Sequence, residues 1–302
     1  MNKYIVFDIG GSSIKHAIMT ESGEILSKGS YKAERHDFDV FIKGMLDVTR
    51  KAIEEEAVVG VAVSAPGGVD SESGIIGGSS ALPCIHGPNF KEIFKNELNI
   101  TLEMENDANC AGLGEVWLGA AKDNQDVAFI VCGTGVGGAI IKDKKIHKGN
   151  SLHGGEFGYI ILDTIKTEEG YDFRTWSDLG ATGGMQAIVA KRKGIDPSEI
   201  DGKKIFELAE AGDEICIEEI DNFYFNNAKG IYDIQYTYDP EKILIGGAIS
   251  AREDFIDRIN EKLDYLFSKL THASVRPVIE KCMYGNDSNL LGALFNYLQR
   301  NN

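Results

Sequence analysis

The sequence predicts an α/β protein built from two domains, and three observations support this fold class. The chain has 302 residues, a length that suits two domains of about 150 residues each. Apolar runs of strand length alternate with segments whose apolar residues recur at helical spacing. A glycine-rich strand–turn–strand unit at the start returns near residue 127, which indicates a weak internal repeat.

The first half is predicted to be a strand meander followed by strands that alternate with helices. Strands are predicted over 4–8, 14–19, 25–31, 58–64 and 100–105, and helices over 38–57, 90–98 and 108–118. Helical spacing is clearest in the first helix, where Phe41, Ile42 and Met45 share one side.

The second half begins with strands over 127–131 and 139–141 on either side of a glycine-rich turn. Further strands are predicted over 243–245 and 275–282, and helices over 182–193, 205–211, 214–236, 254–270 and 288–298. No linker is rich in proline or serine, so the domain boundary rests on the repeat. We predict a smaller domain over 1–118 and a larger one over 119–286.

Composition excludes several classes of protein. The chain has 31 basic and 47 acidic residues, a net charge of −16 that opposes nucleic-acid binding. The longest weakly polar stretch, 58–69, is too short to span a membrane, and the start lacks the features of a signal peptide. Five scattered cysteines without a CxxC pair argue against disulfides and a four-ligand zinc site. We therefore expect a cytoplasmic protein with reduced thiols.

Two glycine-rich turns are candidate phosphate sites, because successive backbone N–H groups can cradle an anion. Their residues are Gly10, Gly11 and Ser12 in the first turn, and Gly133, Thr134 and Gly135 in the second. Neither turn ends in the Gly-Lys-Ser/Thr of a P-loop, and strands follow where a dinucleotide fingerprint needs a helix. Each turn is therefore predicted to be the tip of a β-hairpin, which is also the alternative without a ligand.

Two further positions could contact a nucleotide. Asp8 ends a strand beside the first turn, where its carboxylate would hold Mg²⁺, usually through water, or simply cap the turn. Gly246 and Gly247 follow an apolar strand and precede a helix. They would let the backbone approach the adenosine end of a nucleotide, or form an ordinary strand–helix turn.

Acidic and amide side chains at loop ends are the candidates for the chemistry. Asn106 and Asp107 start a helix, where Asp107 would be a general base and Asn106 a ligand of a sugar hydroxyl, unless they only cap the helix. Glu156, in a glycine-flanked loop, would accept hydrogen bonds from vicinal hydroxyls or be a solvated acid. Gly67 would contact the substrate through its backbone or form an ordinary turn.

Five segments occur in the order found in the ROK family of bacterial sugar kinases and related repressors, which this chain resembles from about residue 4 to the C-terminus. These segments are 8–12, 105–109, 132–138, 154–158 and 246–247. The resemblance implies an actin-like ATPase (ribonuclease H-like) fold with the nucleotide in a central cleft between two domains. The closing helix, 287–302, would pack back on the first domain. The resemblance also implies Mg-ATP, transfer to a sugar 6-hydroxyl with Asp107 as base, and a homodimer.

Departures from the family pattern bear on the substrate and on zinc. Tyr159 replaces a histidine that in the family touches sugar and binds zinc, and 168–178 lacks the family's cysteines. No zinc is therefore expected. Asp178 stands where the family has a second sugar-binding glutamate. These changes imply altered recognition around C1 and C2, and an aromatic ring can pack on a sugar face or an aglycone. The expected acceptor is a glucose-type sugar with a β-linked substituent.

Other functions stay open on the sequence alone. The chain could be an N-acetylmannosamine kinase or a glucokinase. It could be a sugar-sensing regulator, although the first strand begins at Tyr4 and no DNA-binding segment is expected before it. An ATPase acting on protein partners would share the phosphate turns, but it would not explain Asn106, Asp107 and Glu156.

Overall fold

The computed structural model describes residues 1–301, which divide by their contacts into two compact units. Unit 1 comprises Met1–Asp123, Ile141–Gly154 and the C-terminal segment from Met283. Unit 2 comprises Asn124–Ile140 and Gly155–Cys282. Segment 141–154 thus belongs to unit 1, which the repeat in the sequence did not indicate.

The elements come mostly in runs of strands and runs of helices along the chain. The strands are β1 (Lys3–Ile9), β2 (Ser13–Thr20), β3 (Ile25–Lys32), β4 (Val61–Ala65), β5 (Gly68–Asp70), β6 (Ile75–Gly77), β7 (Leu102–Asn106), β8 (Val127–Cys132), β9 (Val136–Lys142), β10 (Lys145–Ile146), β11 (Ile161–Thr167), β12 (Gly170–Thr175), β13 (Lys242–Gly246) and β14 (Ile279–Lys281). The helices are α1 (Phe38–Glu56), α2 (Phe90–Leu98), α3 (Asp107–Trp117), α4 (Trp176–Gly180), α5 (Thr182–Lys193), α6 (Gly202–Glu210), α7 (Glu214–Tyr238), α8 (Phe255–Lys269) and α9 (Ser288–Asn301).

Two five-stranded sheets have the same strand pattern. The first has the order β3-β2-β1-β4-β7, with β1, β4 and β7 parallel and the hairpins β1–β2 and β2–β3 antiparallel. The second has the order β10-β9-β8-β13-β14 and the same directions. β1 and β2 pair antiparallel, and β8 and β9 are neighbours in the sheet joined by only three residues, which requires them to run antiparallel. Each glycine-rich turn is therefore a hairpin tip, as predicted. The internal repeat seen in the sequence is therefore a repeat of sheet topology.

Helix α9 packs on α3 and on β1, β4 and β7 within unit 1. Two glycines allow this close approach: a Cβ on Gly292 would lie 1.7 Å from the carbonyl oxygen of Cys110, and one on Gly114 would lie 2.4 Å from that of Ser288. The buried carboxylate of Glu115 accepts hydrogen bonds from the backbone N–H groups of Met283 and Tyr284 just before α9. These contacts set where α9 lies on the sheet.

Short elements account for most differences from the sequence prediction. The hairpin β5–β6 and the helix α4 contain too few residues to show a period, whereas β11 and β12 have seven and six residues, of which only one, on β11, is buried. The predicted strand over 275–282 is wrong in length, because only Ile279–Lys281 pair with β13. Within residues 1–301, the structure has no helix with the length and apolarity needed to cross a bilayer.

Candidate active site

Asp8 lies at the carboxyl end of β1 and is 8% exposed. Its Oδ1 accepts hydrogen bonds from Ser64 Oγ at 3.0 Å and from Asn289 Nδ2 at 3.1 Å, while Lys15 Nζ lies 3.6 Å from Oδ2. The two hydrogen bonds therefore fix Oδ1, and Oδ2 faces the ammonium group of Lys15. Lys15 and Ser64 stand opposite Asp8 on the two neighbouring strands, so the strand register alone predicts these two neighbours. Asn289 is brought there only by the packing of α9.

Asn106 and Asp107 form the junction between β7 and α3. Asn106 is the N-cap residue, and its Oδ1 accepts from the backbone N of Ala108 and Asn109 at 2.9 and 3.2 Å. Its Nδ2 donates to the carbonyl oxygen of Gly67 at 3.0 Å. Asn106 therefore caps α3, and its second amide hydrogen could still donate to a ligand, so the contact with a sugar hydroxyl stays a prediction.

Asp107 is the first residue of α3 and is half-buried. Its Oδ1 accepts from the backbone N of Ala108 at 2.9 Å. Asp107 thus lies at the N-terminus of a helix, where the backbone N–H groups favour a negative charge. A carboxylate that is partly open to solvent and fixed by the backbone could take a proton from a hydroxyl group. The structure thus brings Gly67, Asn106 and Asp107 together within unit 1.

The second glycine turn lies in unit 2 between β8 and β9, and Thr134 and Gly135 are exposed. The N–H of Gly133 donates to Gly135 O at 2.9 Å, and Thr182 donates to Gly133 O through both its N and its Oγ1. A Cβ on Gly133 would meet nothing within 4 Å. The fold therefore leaves room for a side chain at Gly133, so packing does not require glycine there. The contribution of Thr182, the first residue of α5, was not evident from the sequence.

Gly247 approaches the strand β8 that leads into this turn. Its φ is +97°, and a Cβ would lie 2.0 Å from the carbonyl oxygen of Cys132. A Cβ on Gly246 would lie 3.3 Å from the ring of Phe129. Packing therefore requires glycine at position 247. Gly246 and Gly247 both lie beside the end of β8.

Glu156 and Tyr159 follow a segment that lies closely on β9. A Cβ on Gly155 would lie 2.7 Å from Ala139 Cα, and one on Gly158 would lie 2.1 Å from Val136 O. These contacts hold Glu156 and Tyr159 beside the first residues after the glycine turn. Glu156 is exposed and Tyr159 is 75% exposed, so both side chains are available to a ligand.

Asp178 has a local structural role. It forms a capping box at the start of α4, in which its Oδ2 accepts from the backbone N and the Oγ1 of Thr175 at 2.8 and 2.7 Å. This capping accounts for an acidic residue at that position. Contact between Asp178 and a sugar stays a prediction.

Metal-binding side chains do not cluster in the described part of the chain. Within it, no group of three or more His, Cys, Asp or Glu residues could hold a metal ion. The five cysteines all lie in the described residues, and none of them forms a disulfide. Burial raises the pKa of the Cys132 thiol to about 12, which keeps it protonated at neutral pH.

Two five-stranded sheets of the same order, each with a glycine turn between its first two antiparallel strands, define an actin-like ATPase fold. The chain belongs to the ROK family, whose model matches residues 4–300. It is 33% identical over 304 residues to a β-glucoside kinase of Listeria monocytogenes, with 99% of each chain covered, and 28% identical over 300 residues to one of Klebsiella pneumoniae, with 98% of this chain and 96% of that one covered. A solved ROK family protein from Streptococcus pneumoniae, in complex with sucrose, is 36% identical, has a TM-score of 0.88 and covers 99% of this chain and 98% of its own.

Proposed function

We propose that the chain is an ATP-dependent carbohydrate kinase that transfers the γ-phosphoryl group to the 6-hydroxyl of a β-glucoside. The observation that carries this proposal is Asp107, a half-buried carboxylate fixed at the first residue of α3 beside Gly67 and Asn106. The whole-chain similarity to two β-glucoside kinases supports the same substrate class.

The proposed reaction needs one proton acceptor. The 6-hydroxyl oxygen forms a bond to the γ-phosphorus, the bond to the bridging oxygen of ADP breaks, and the hydroxyl proton passes to Asp107. Asn106, Gly67, Glu156, Tyr159 and Asp178 are the proposed sugar ligands. They would hold the hydroxyl in line with the phosphorus, and such positioning is a large part of catalysis of phosphoryl transfer.

The proposed nucleotide ligands are the two glycine turns, Gly246 and Gly247. Asp8 fits Mg²⁺ bound through water, because Oδ1 is held by Ser64 and Asn289 while Oδ2 faces only Lys15 among residues 1–301. Mg²⁺ keeps most of its water and needs only one or two protein carboxylates beside phosphate oxygens. When bound, it would neutralise phosphate charge. The homodimer stays a prediction from the resemblance, and the cytoplasmic location stays a prediction from the composition.

Tyr159 is the basis for proposing a β-linked substituent, because its ring is exposed beside Glu156 and can stack on a sugar or aryl ring. In a coupled ADP assay with Mg²⁺, we expect a β-aryl glucoside and cellobiose to be better acceptors than glucose or N-acetylmannosamine. Tyr159→Ala should lower kcat/KM for the β-aryl glucoside about 10-fold and change glucose little. A preference for N-acetylmannosamine would contradict the proposed β-glucoside substrate. The absence of ADP formation with every sugar would contradict the proposed kinase activity.

Gly133→Ala tests whether the second turn binds phosphate. A Cβ there has free space in the protein, so we expect the melting temperature to stay unchanged. The added methyl group would obstruct close approach of a phosphate to the backbone, and KM for ATP should rise at least about 10-fold. Gly135→Ala, whose Cβ would lie 3.6 Å from Ser177 Oγ, is the second variant of the turn. An unchanged KM for ATP in both variants would exclude the turn as a phosphate site.

A further inference from the structure

Glu105 is a buried carboxylate directly before the proposed catalytic residues. Its side chain is 2% exposed, and both oxygens are occupied. Oε1 accepts from the backbone N of Asn106 at 2.8 Å and from Asn109 Nδ2 at 2.9 Å. Oε2 accepts from Ser71 Oγ at 2.9 Å and from Lys148 Nζ at 2.7 Å. One carboxylate therefore connects the first turn of α3 to two other segments of unit 1.

Lys148 supplies the positive charge for this carboxylate. Besides Glu105, its ammonium group donates to Ser71 Oγ at 2.5 Å and to Val69 O at 3.2 Å. Its own carbonyl oxygen accepts from Gly154 N at 2.8 Å, which closes the loop that contains it. The ammonium thus has three acceptors, equal to its number of protons. Among residues 1–301, Lys148 is the one basic side chain that forms an ion pair with Glu105.

The same hairpin, β5–β6, is held at two places on the β7–α3 junction. Gly67, just before β5, accepts from Asn106 Nδ2, and Val69 and Ser71 at β5 contact Lys148, which pairs with Glu105. Asp107 directly follows both attachments in sequence, one residue after Asn106 and two after Glu105. Its position relative to the Gly67 backbone therefore depends on both.

We propose that Lys148, acting through Glu105, is a positioning residue that holds the general base Asp107 in its reactive place. This inference rests on the proposed function, because it assigns a role in that same phosphoryl transfer. Lys148 forms its ion pair with Oε2 of Glu105, and Oε1 of the same carboxylate accepts from the backbone N of Asn106, the residue before Asp107.

Removing the ammonium group would leave a buried carboxylate without a countercharge, which is costly in a protein interior. The carboxylate would then take up a proton or turn toward solvent. Either change weakens its hydrogen bonds to Asn106 N and Asn109 Nδ2, and these bonds set the first turn of α3. A displacement of about 1 Å in a reacting group can cost about 100-fold in rate.

Lys148→Met is the decisive variant, because methionine keeps much of the side-chain length and removes the charge. We expect kcat for sugar-dependent ADP formation to fall at least about 10-fold, with KM for ATP within about twofold of the wild-type value. Lys148→Arg restores a charged donor and should recover most of kcat. Glu105→Gln combined with Lys148→Met removes both charges and should be more active than Lys148→Met alone. Lys148→Gln serves if the methionine variant does not fold.

Lys91→Met is the matched control. Lys91 Nζ lies 2.8 Å from a carboxylate oxygen of Glu103, which is on β7 together with Glu105. The side chain of Lys91 is 21% exposed, against 20% for that of Lys148. Arg300 also pairs with Glu103, so that carboxylate keeps a countercharge when Lys91 is replaced. We expect a kcat near the wild-type value. If Lys148→Met keeps the wild-type kcat while Asp107→Asn is inactive, the role of Lys148 is wrong and the proposed function stands. An equal loss of kcat in Lys148→Met and Lys91→Met would also overturn the role of Lys148. A wild-type chain without sugar-dependent ADP formation would overturn the proposed function as well.

Discussion

Asp107→Asn is expected to lower kcat for sugar phosphorylation by about 10²- to 10⁴-fold, the range typical of a lost general base. The amide keeps the size of the side chain, and its oxygen can still accept from Ala108 N, so the start of α3 should be preserved. The amide cannot accept the hydroxyl proton. Initial-rate kinetics of ADP formation would measure the loss, and calorimetric titration with the sugar should show nearly unchanged binding.

Asp201→Asn provides the control for this charge change. Asp201 is also an acidic residue at the start of a helix, where it accepts from Lys204 N at 2.8 Å as the N-cap of α6. Its replacement by asparagine, an equally good N-cap residue, should leave kcat and the melting temperature near the wild-type values. The assignment of Asp107 as the base would be wrong if Asp107→Asn kept kcat within a few-fold of wild type.

Gly292→Ala is expected to have the largest effect on stability. The new Cβ would lie 1.7 Å from the carbonyl oxygen of Cys110, and that oxygen belongs to the backbone of α3 and cannot rotate away. The clash is relieved only if α9 and α3 move apart. We therefore expect the free energy of unfolding to fall by about 3 kcal/mol or more. The melting temperature should fall by roughly 6–12 °C. Because α9 also carries Asn289, which donates to Asp8, activity should decline in parallel.

Gly202→Ala is the matched control for Gly292→Ala. Gly202 is the first residue of α6, and a Cβ there would have its nearest neighbour, Thr182 Cβ, at 3.8 Å. Alanine is the better helix former, so stability should be equal or slightly higher. Thermal and urea unfolding of both variants would decide. A Gly292→Ala protein that melts with the wild type would show that α9 and α3 do not approach as closely as described.

The two glycine turns illustrate what local sequence can predict. Apolar strands on both sides of residues 10–12 and 133–135 indicated hairpins, and the antiparallel pairing of β1–β2 and β8–β9 confirms this. The prediction succeeded because strand, turn and strand are neighbours in the chain, so the pattern needs no distant partner. The order of the five motifs also indicated the ROK family, which the match over residues 4–300 confirms.

The surroundings of the candidate residues could not be predicted in the same way. Asn289 reaches Asp8 across 281 residues of sequence, and Lys148 reaches Ser71 across 77. Nothing in the local pattern around either residue distinguishes it from an ordinary polar surface residue. The short hairpin β5–β6, which carries two of the acceptors of Lys148, was also missed because three-residue strands show no alternation.

The sequence by itself determined the class of fold, the repeat of two similar sheets, the family and the identity of the candidate residues. These features depend on local hydrophobic period and on motifs whose residues are adjacent in the chain. Only the tertiary structure decided that Asn106 donates to Gly67, that Asn289 reaches Asp8 and that Lys148 neutralises Glu105. Those roles depend on which backbone groups and charges lie within about 3 Å after folding, and hydrogen bonds and ion pairs act at that range.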